Sequence, residues 1–438
     1  MRFQGCLKRC VSAPYSVCLF YYSLHRRIDG SISEWTWTRG SGSTAQTYAF
    51  TYDGLGRLTG TQRYTGNGTT ATNAFTEQGL EYDRNGNITK MKRYDSSASS
   101  PEDNFVFTLS GNRISSLTNS GTNGSGATYT SYTYDSNGNT THDGRTGQDI
   151  SWNMLNLISG ISTTSGGNTT QLASYNWYAD GTKYSAERSD GSGYVYKGNV
   201  IYEKATGGAL TLDCVLTTGG RIVANKNSSG TITGYTVYHH ITDHLGSVRA
   251  ITDASTGTVV ETSDFMPFGT RWSQTSGSSS ATITDATNRW RYSGKEEQKA
   301  INSTLPLIDY GARMYDPTIA RWMSVDPMVE SLYQFSPYSF CYDNPIIVVD
   351  KDGNIGETLW DLVNVAMDAK SLVSNIKAGK TGAALIDAGG LVVDVVAAAV
   401  PILPGGAGTA IKAIRGADKA VDAIKITDNA SDIVRTLE

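Results

Sequence analysis

Between residues 28 and 238, aromatic and polar positions alternate in short runs that end on turns. Tyr48, Phe50 and Tyr52 fall two apart, as do Tyr132 and Tyr134, which places each set on one face of an extended strand. The pattern repeats with variations as FTYDGLGRLTG at 50–60, LEYDRNGNITKM at 80–91, YTYDSNGNTTHDG at 132–144 and NWYADGTKYSAE at 176–187. Degenerate copies stand at 107–117 (FTLSGNRISSL) and 150–160 (ISWNMLNLISG). Asp-x-x-Gly and Asn-Gly make the turn, and Ile or Leu opens the next strand. One hairpin cannot bury its aromatic face alone, whereas stacked neighbours can, so the repeats predict a spiralling antiparallel sheet. The spacing of Tyr52, Tyr82, Tyr134 and Tyr178 is uneven, and polar inserts such as TSGGNTTQ at 164–171 predict hairpin loops of variable length.

The pattern changes at Asn354. The last 85 residues hold one aromatic, Trp360, and are rich in Ala, Val, Ile, Lys and Asp. ETLWDLVNVAMDAKSLVSNIKAG, TGAALIDAGGLVVDVVAAAV and GTAIKAIRGADKAVDAIK each predict a helix, ended by Gly379, by Pro401 with Pro404, and by the polar tail. A mainly β chain followed by an α-helical C-terminal segment is therefore expected.

Composition agrees with this reading. Beside 47 Gly and 25 Tyr stand only 10 Pro, a mixture suited to short strands and tight turns. At 438 residues there is room for two or three domains. A net charge of −4 from 37 basic and 41 acidic residues gives no cationic footprint, so no nucleic-acid partner is expected. Of the 5 cysteines, Cys6, Cys10 and Cys18 match no zinc spacing, and Cys214 and Cys341 are too few for a disulfide framework. Residues 1–27 lack the long apolar run of a secretory signal, with Pro14 close after Lys8-Arg9, and remain an unassigned extension.

The richest stretch is 239–353. It reads HHITDHLGSVRAITDASTG, then MPFG, SGKEE, DYGARMYDPTIARW, VDPM and SPYSFCYDNPIIVVDKDG. These motifs, in this order, resemble the RHS repeat-associated core, and the phrases before them resemble YD repeats. The resemblance implies a YD-repeat β region at 28–238, a closing RHS core at 239–353, and a helical linker or truncated tip at 354–438. It further implies a polymorphic-toxin type of protein, extracellular or at the cell surface. Its expected partners are a C-terminal toxin segment, delivery machinery or a cell-surface receptor.

Candidate chemistry follows from the same resemblance. Some members cleave themselves with a pair of aspartates, and Asp326 in SVDPM and Asp350 in VVDKDG stand where that pair would be. Such a dyad must share a proton so that one acid activates water while the other protonates the leaving group. Lys351 and Asn354 depart from the cleaving pattern, and Lys351 would favour an ionised Asp350. The competing reading makes both acids turn caps, as for Asp316-Pro317. Asp243, Arg249, Arg313 and Arg321 read as structural ion-pair partners. His239, His240 and His244 beside Asp243 raise a metal site, but extended backbone with a turn at 243–246 disfavours it, and neither metal nor cofactor is expected. In the tail, Asp387 and Asp394 oppose simple membrane spanning by 383–403, since each central Asp costs about 2.5–3.5 kcal/mol; a membrane-active tail stays open as an alternative. Three roles are thus in view: a non-enzymatic scaffold, a self-cleaving core, and a membrane-active tail.

Overall fold

A computed structural model describes residues 21–27, 31–38, 44–66, 68–276, 288–331, 335–354 and 356–358. The chain divides into two compact units, Met1–Ile346 and Ile347–Glu438. In the first, successive hairpins pair in sequence order as a 5-stranded sheet over 21–72, a second 5-stranded sheet over 77–129, and a 14-stranded sheet over 133–276. Every pairing between neighbouring strands is antiparallel, and the edge strands Thr133–Tyr134 and Arg271–Ser276 do not pair with one another, so the large sheet is not a closed barrel. The strand Ile232–Thr242 runs without a break through position 238. Among the described residues the helical pieces are single 3-10 turns. In the second unit Val348–Asp350 pairs with Gly356–Thr358. The helical expectation falls on residues outside those described; among the described ones no helix is long and apolar enough to cross a membrane.

One turn recurs, and its chemistry is local. Asp53 Oδ1 accepts the N–H groups of Leu55 and Arg57 while Gly56, at φ +81°, closes the loop onto the Asp53 carbonyl. Asp83, Asp135 and Asp243 accept the same pair of N–H groups, and Gly86, Gly138 and Gly246 take the same left-handed φ. A β-bulge precedes each of these turns, at Thr51/Tyr52, Glu81/Tyr82, Thr133/Tyr134 and Ile241/Thr242. The extra residue turns the side chain at the bulge toward the preceding hairpin.

That redirected side chain stitches the repeats together. Tyr52 Oη donates to the Ile32 carbonyl at 2.7 Å, Tyr82 Oη to that of Leu58, Trp152 Nε1 to Thr140 at 2.8 Å and Trp177 Nε1 to Ile158 at 2.7 Å. Tyr134 Oη instead accepts the Ile114 N–H at 3.0 Å. Each bond reaches the start of the previous hairpin's second strand, so the ring packs and its polar tip fixes the register between repeats. The sequence pattern puts Tyr178 in this role, but the structure gives it to Trp177. Trp177 pairs with Lys183 as Tyr52 pairs with Leu58, and Tyr178 is left 47% exposed in the position of the turn aspartate. A slip of one residue reverses the facing of a strand, and here the bulge between Asn176 and Trp177 decides it.

A direct test is Tyr82→Phe, which keeps the ring and leaves the Leu58 carbonyl without its donor. We expect a loss of about 0.5–1.5 kcal/mol in urea unfolding, with an unchanged denaturant slope.

The inner face of this wall is apolar and covered. Ile150, Ile161, Ala173, Tyr175, Ala186 and Tyr194 form one buried cluster with Ile301, Leu305, Leu307, Met314 and Met323. The wall also curls until its early and late segments meet. Trp272 stacks on Phe75 with centroids 4.2 Å apart, and the Arg249 guanidinium lies 5.0 and 5.2 Å from the rings of Trp35 and Trp37. A cavity left between them, lined by Tyr48, Phe265 and Tyr292 among others, measures about 10 Å3. The interior at that point is filled by side chains.

Candidate functional site

The residues that cover the wall belong to one stretch, 288–346. It contains strands of only two or three residues, Glu296–Glu297, Ile308–Asp309, Met314–Asp316 and Arg321–Trp322. Short strands leave many polar groups to satisfy, and here these groups reach to the wall. Followed along the chain, the partners run back through the hairpins from Glu261 to Arg93, and then lie at Gly138 and Gly56. Arg291 meets Glu261 and Arg289 meets Asp213; the Ala300 carbonyl accepts Arg188, and Asn302 donates to Gln148. Asp316 meets Arg145, Pro317 and Thr318 accept Arg93, Tyr338 donates to Gly138, and Asn344 donates to Gly56. The inner stretch thus crosses the wall from its last hairpins to its first.

The densest knot surrounds Glu296. Its carboxylate accepts Lys183 Nζ at 2.5 Å, Arg289 Nε at 2.8 Å and Tyr196 Oη at 2.8 Å, while Lys183 also reaches Asp309 at 2.6 Å. Burial by itself would raise the Glu296 pKa, but Lys183 and Arg289 outweigh it and bring the group down to about 2. Burial likewise disfavours the Lys183 cation, and Asp309 with Glu296 more than restores it. Removing two such charges from water costs several kcal/mol each, offset only where every lone pair and proton finds a partner. Arg289 adds a face-on contact 3.5 Å from the Tyr194 ring centroid.

Two further knots lie along the same route. Arg145 is 2.6 Å from Asp316 and 3.7 Å from Asp143. Arg93, 2% exposed, meets Asp103 at 3.1 Å and Glu77 at 3.4 Å, and the second Glu77 oxygen accepts the Phe268 N–H at 2.9 Å. Burial holds the Glu77 carboxyl above its ordinary range despite Arg93. These groups hold one another, and the knots fasten the inner stretch to the wall.

Of these groups, sequence reasoning missed Lys183, Glu296, Asp309, Arg289 and Arg145. One signal was available. Lys183 occupies the inward slot filled by Leu58, Ile88 and Ile158 in other hairpins, and a lysine there demands a buried acid.

Asp326 pairs with Arg313 at 2.7 Å and its other oxygen accepts the Met328 N–H at 2.8 Å. Asp350, 2% exposed and in the second unit, accepts the N–H groups of Asp352 and Gly353. Asp316 Oδ1 caps its own turn through the Thr318 N–H. Arg249 contacts Asp264 closely and Asp243 at 3.8 Å, as an ion-pair role requires. Arg321 departs from that expectation. It donates to Asn87 and to the Asn112 carbonyl and lies over the Tyr338 ring, because the turn of the second sheet offers neutral oxygens at that point. His239 and His240 lie on extended backbone, and His244 in the 243–246 turn donates through Nε2 to the Ile346 carbonyl at 3.0 Å. Among the described residues no three acidic, His or Cys side chains converge as metal ligands.

No family model matches the chain. Salivary gland surface protein 1 of Aedes aegypti is 33% identical to it over 122 residues, which are 28% of this chain and 3% of that protein. The tRNA3(Ser)-specific nuclease WapA of Bacillus spizizenii is 27% identical over 247 residues, 55% of this chain and 10% of that protein. The crystal structure of TcdB2-TccC3-TEV superposes with a TM-score of 0.50 and 16% identity, over 76% of this chain and 18% of the other. The likeness to that structure is one of fold. The chain spans a small part of the length of each.

Proposed function

We propose that this chain is the closing part of an RHS/YD-repeat wall and acts as a non-enzymatic β scaffold in a polymorphic-toxin system, at the cell surface or outside the cell. The observation that carries this reading is the stretch 288–346 laid across the wall and fastened to it by buried ion pairs. Such an arrangement gives rigidity and a fixed register, which a delivery or contact scaffold needs and a turnover site does not. Its proposed partners are a C-terminal toxin segment, delivery machinery or a surface receptor, with no nucleic acid held by this chain.

Self-cleavage by Asp326 and Asp350 is the second reading, favoured by the burial of both acids. The Arg313 guanidinium on Asp326 and the two N–H donors on Asp350 fit acceptor roles better than a shared proton. Intact mass of the purified wild type beside Asp326→Asn separates the two. The scaffold reading expects one full-length species in both. Two fragments from the wild type and none from Asp326→Asn would establish cleavage instead.

A further inference from the structure

Two acids and one amine meet in the Glu296 knot in an order that suits bond formation. Glu296 and Asp309 stand directly opposite one another across a pair of antiparallel strands, and Lys183 reaches both from the wall. Its nitrogen lies 2.5 Å from Glu296 Oε2 and 2.6 Å from Asp309 Oδ2, and none of the three side chains is more than 11% exposed. The Tyr196 ring centroid is 4.4 Å from the amine, and Tyr196 belongs to the buried apolar cluster.

The two acids are held differently. Glu296 Oε1 accepts Arg289 Nε and Tyr196 Oη, which leaves Oε2 to the lysine. Asp309 Oδ1 accepts the Gly311 N–H at 2.8 Å, where a donor polarises the carboxyl and steadies an oxyanion. Its Oδ2 lies against the amine. A nucleophile, a polarised carboxyl carbon and a second acid able to carry protons are thus assembled out of water.

We propose that Lys183 and Asp309 join in an intramolecular isopeptide bond, with Glu296 as the catalytic proton carrier. Nζ attacks Cγ of Asp309; the N–Cγ bond forms and the Cγ–Oδ2 bond breaks. The ammonium gives up two protons, Glu296 passes both to Oδ2, and that oxygen leaves as water. Nothing is oxidised or reduced, and no other reactant is needed. At rest the two acids keep Lys183 a cation, so attack passes through the neutral amine left when Glu296 takes a proton, and the step is slow. Burial favours that uncharged pair, and the fixed contact replaces an encounter in solution. In the product the amide N–H donates to Glu296, which keeps Arg289 and Tyr196. The bond ties wall to inner stretch across 126 residues, a loop long enough for a cross-link to restrict the unfolded chain strongly. The inference rests on the scaffold reading for its purpose, as a permanent form of the same fastening.

The test is mass spectrometry of the purified full chain, intact under denaturing conditions and then after trypsin. We expect the wild type to be one water lighter than its sequence. Trypsin should be blocked at Lys183, giving a branched peptide of 146–188 joined to 300–313. That branch separates the bond from water lost by cyclisation at an Asp-Gly pair, which joins no two peptides. Lys183→Arg should keep its full mass, and Glu296→Gln should lose the branch. A wild type of full mass, or one yielding 146–183 and 300–313 only as separate peptides, would overturn the proposal and leave the ion-paired scaffold standing. A branch to 296–299 in place of 300–313, or a Glu296→Gln chain cross-linked like the wild type, would overturn the assigned roles. The wild-type peptides decide the matter even where a variant fails to fold.

Discussion

Replacing Glu296 with glutamine will destabilise the folded chain by about 3–5 kcal/mol, the cost of breaking one side of a buried ion cluster. The change is nearly isosteric, so packing is conserved and the effect is electrostatic. One glutamine oxygen can still accept from Lys183 or Arg289, but the amide NH2 then faces the other cation with the wrong polarity. The loss should depend on pH. Glu296 ordinarily ionises near 4.5 and is brought to about 2 in the folded chain, a depressed value. Its stabilisation is therefore complete above about 4.5 and fades as pH falls toward 2. Chemical unfolding of wild type and Glu296→Gln across that range should show the gap between them closing on acidification. A gap that stays constant would mean that Glu296 contributes through shape alone.

Phe340→Ala should cost about 3–5 kcal/mol as well, for a different reason, the cavity left by a large buried ring. Phe340 is 1% exposed and stacks on Tyr315 with centroids 4.0 Å apart. Trp322 at 5.5 Å, Tyr310 at 5.7 Å and Tyr292 at 6.2 Å surround it, so it is the ring that all four others share. Directly after it, Cys341, Tyr342 and Asp343 take φ of +50°, +51° and +62°, a run that side chains other than glycine disfavour. The ring cluster holds that run in place, so Phe340→Leu, which refills part of the space, should recover part of the loss. Denaturant midpoints of the two variants check this, and equal losses would show that ring geometry rather than volume matters.

Much of the wall was legible in the sequence. Aspartate, glycine and alternating rings at 48–58 specify a turn, a positive φ and a buried face, and each is a short-range statement. What escaped was either a single-residue register or a long-range partner. Trp177 against Tyr178 turns on a bulge, which no periodicity marks. The tie of Tyr82 to the Leu58 carbonyl uses backbone, which carries no residue-type signal. The inner stretch escaped most fully, because strands of two residues have no period to read. Its partners lie far off along the chain, Lys183 with Glu296 and Arg145 with Asp316. Asp326 and Asp350 were found through resemblance, and what is seen at each is a set of local acceptor contacts. The helices expected within 354–438 fall on residues outside those described.

The inner stretch and the wall, fastened by these buried pairs, should open as one body. Amide hydrogen exchange read by mass spectrometry answers this, with Lys183–Arg188 and Gly193–Lys197 for the wall and Glu296–Glu297 with Met314–Asp316 for the inner stretch. We predict one opening free energy for all four strands in the wild type, and acceleration by a common factor in Glu296→Gln. Rapid exchange in the inner strands beside an unaltered, protected wall would contradict it.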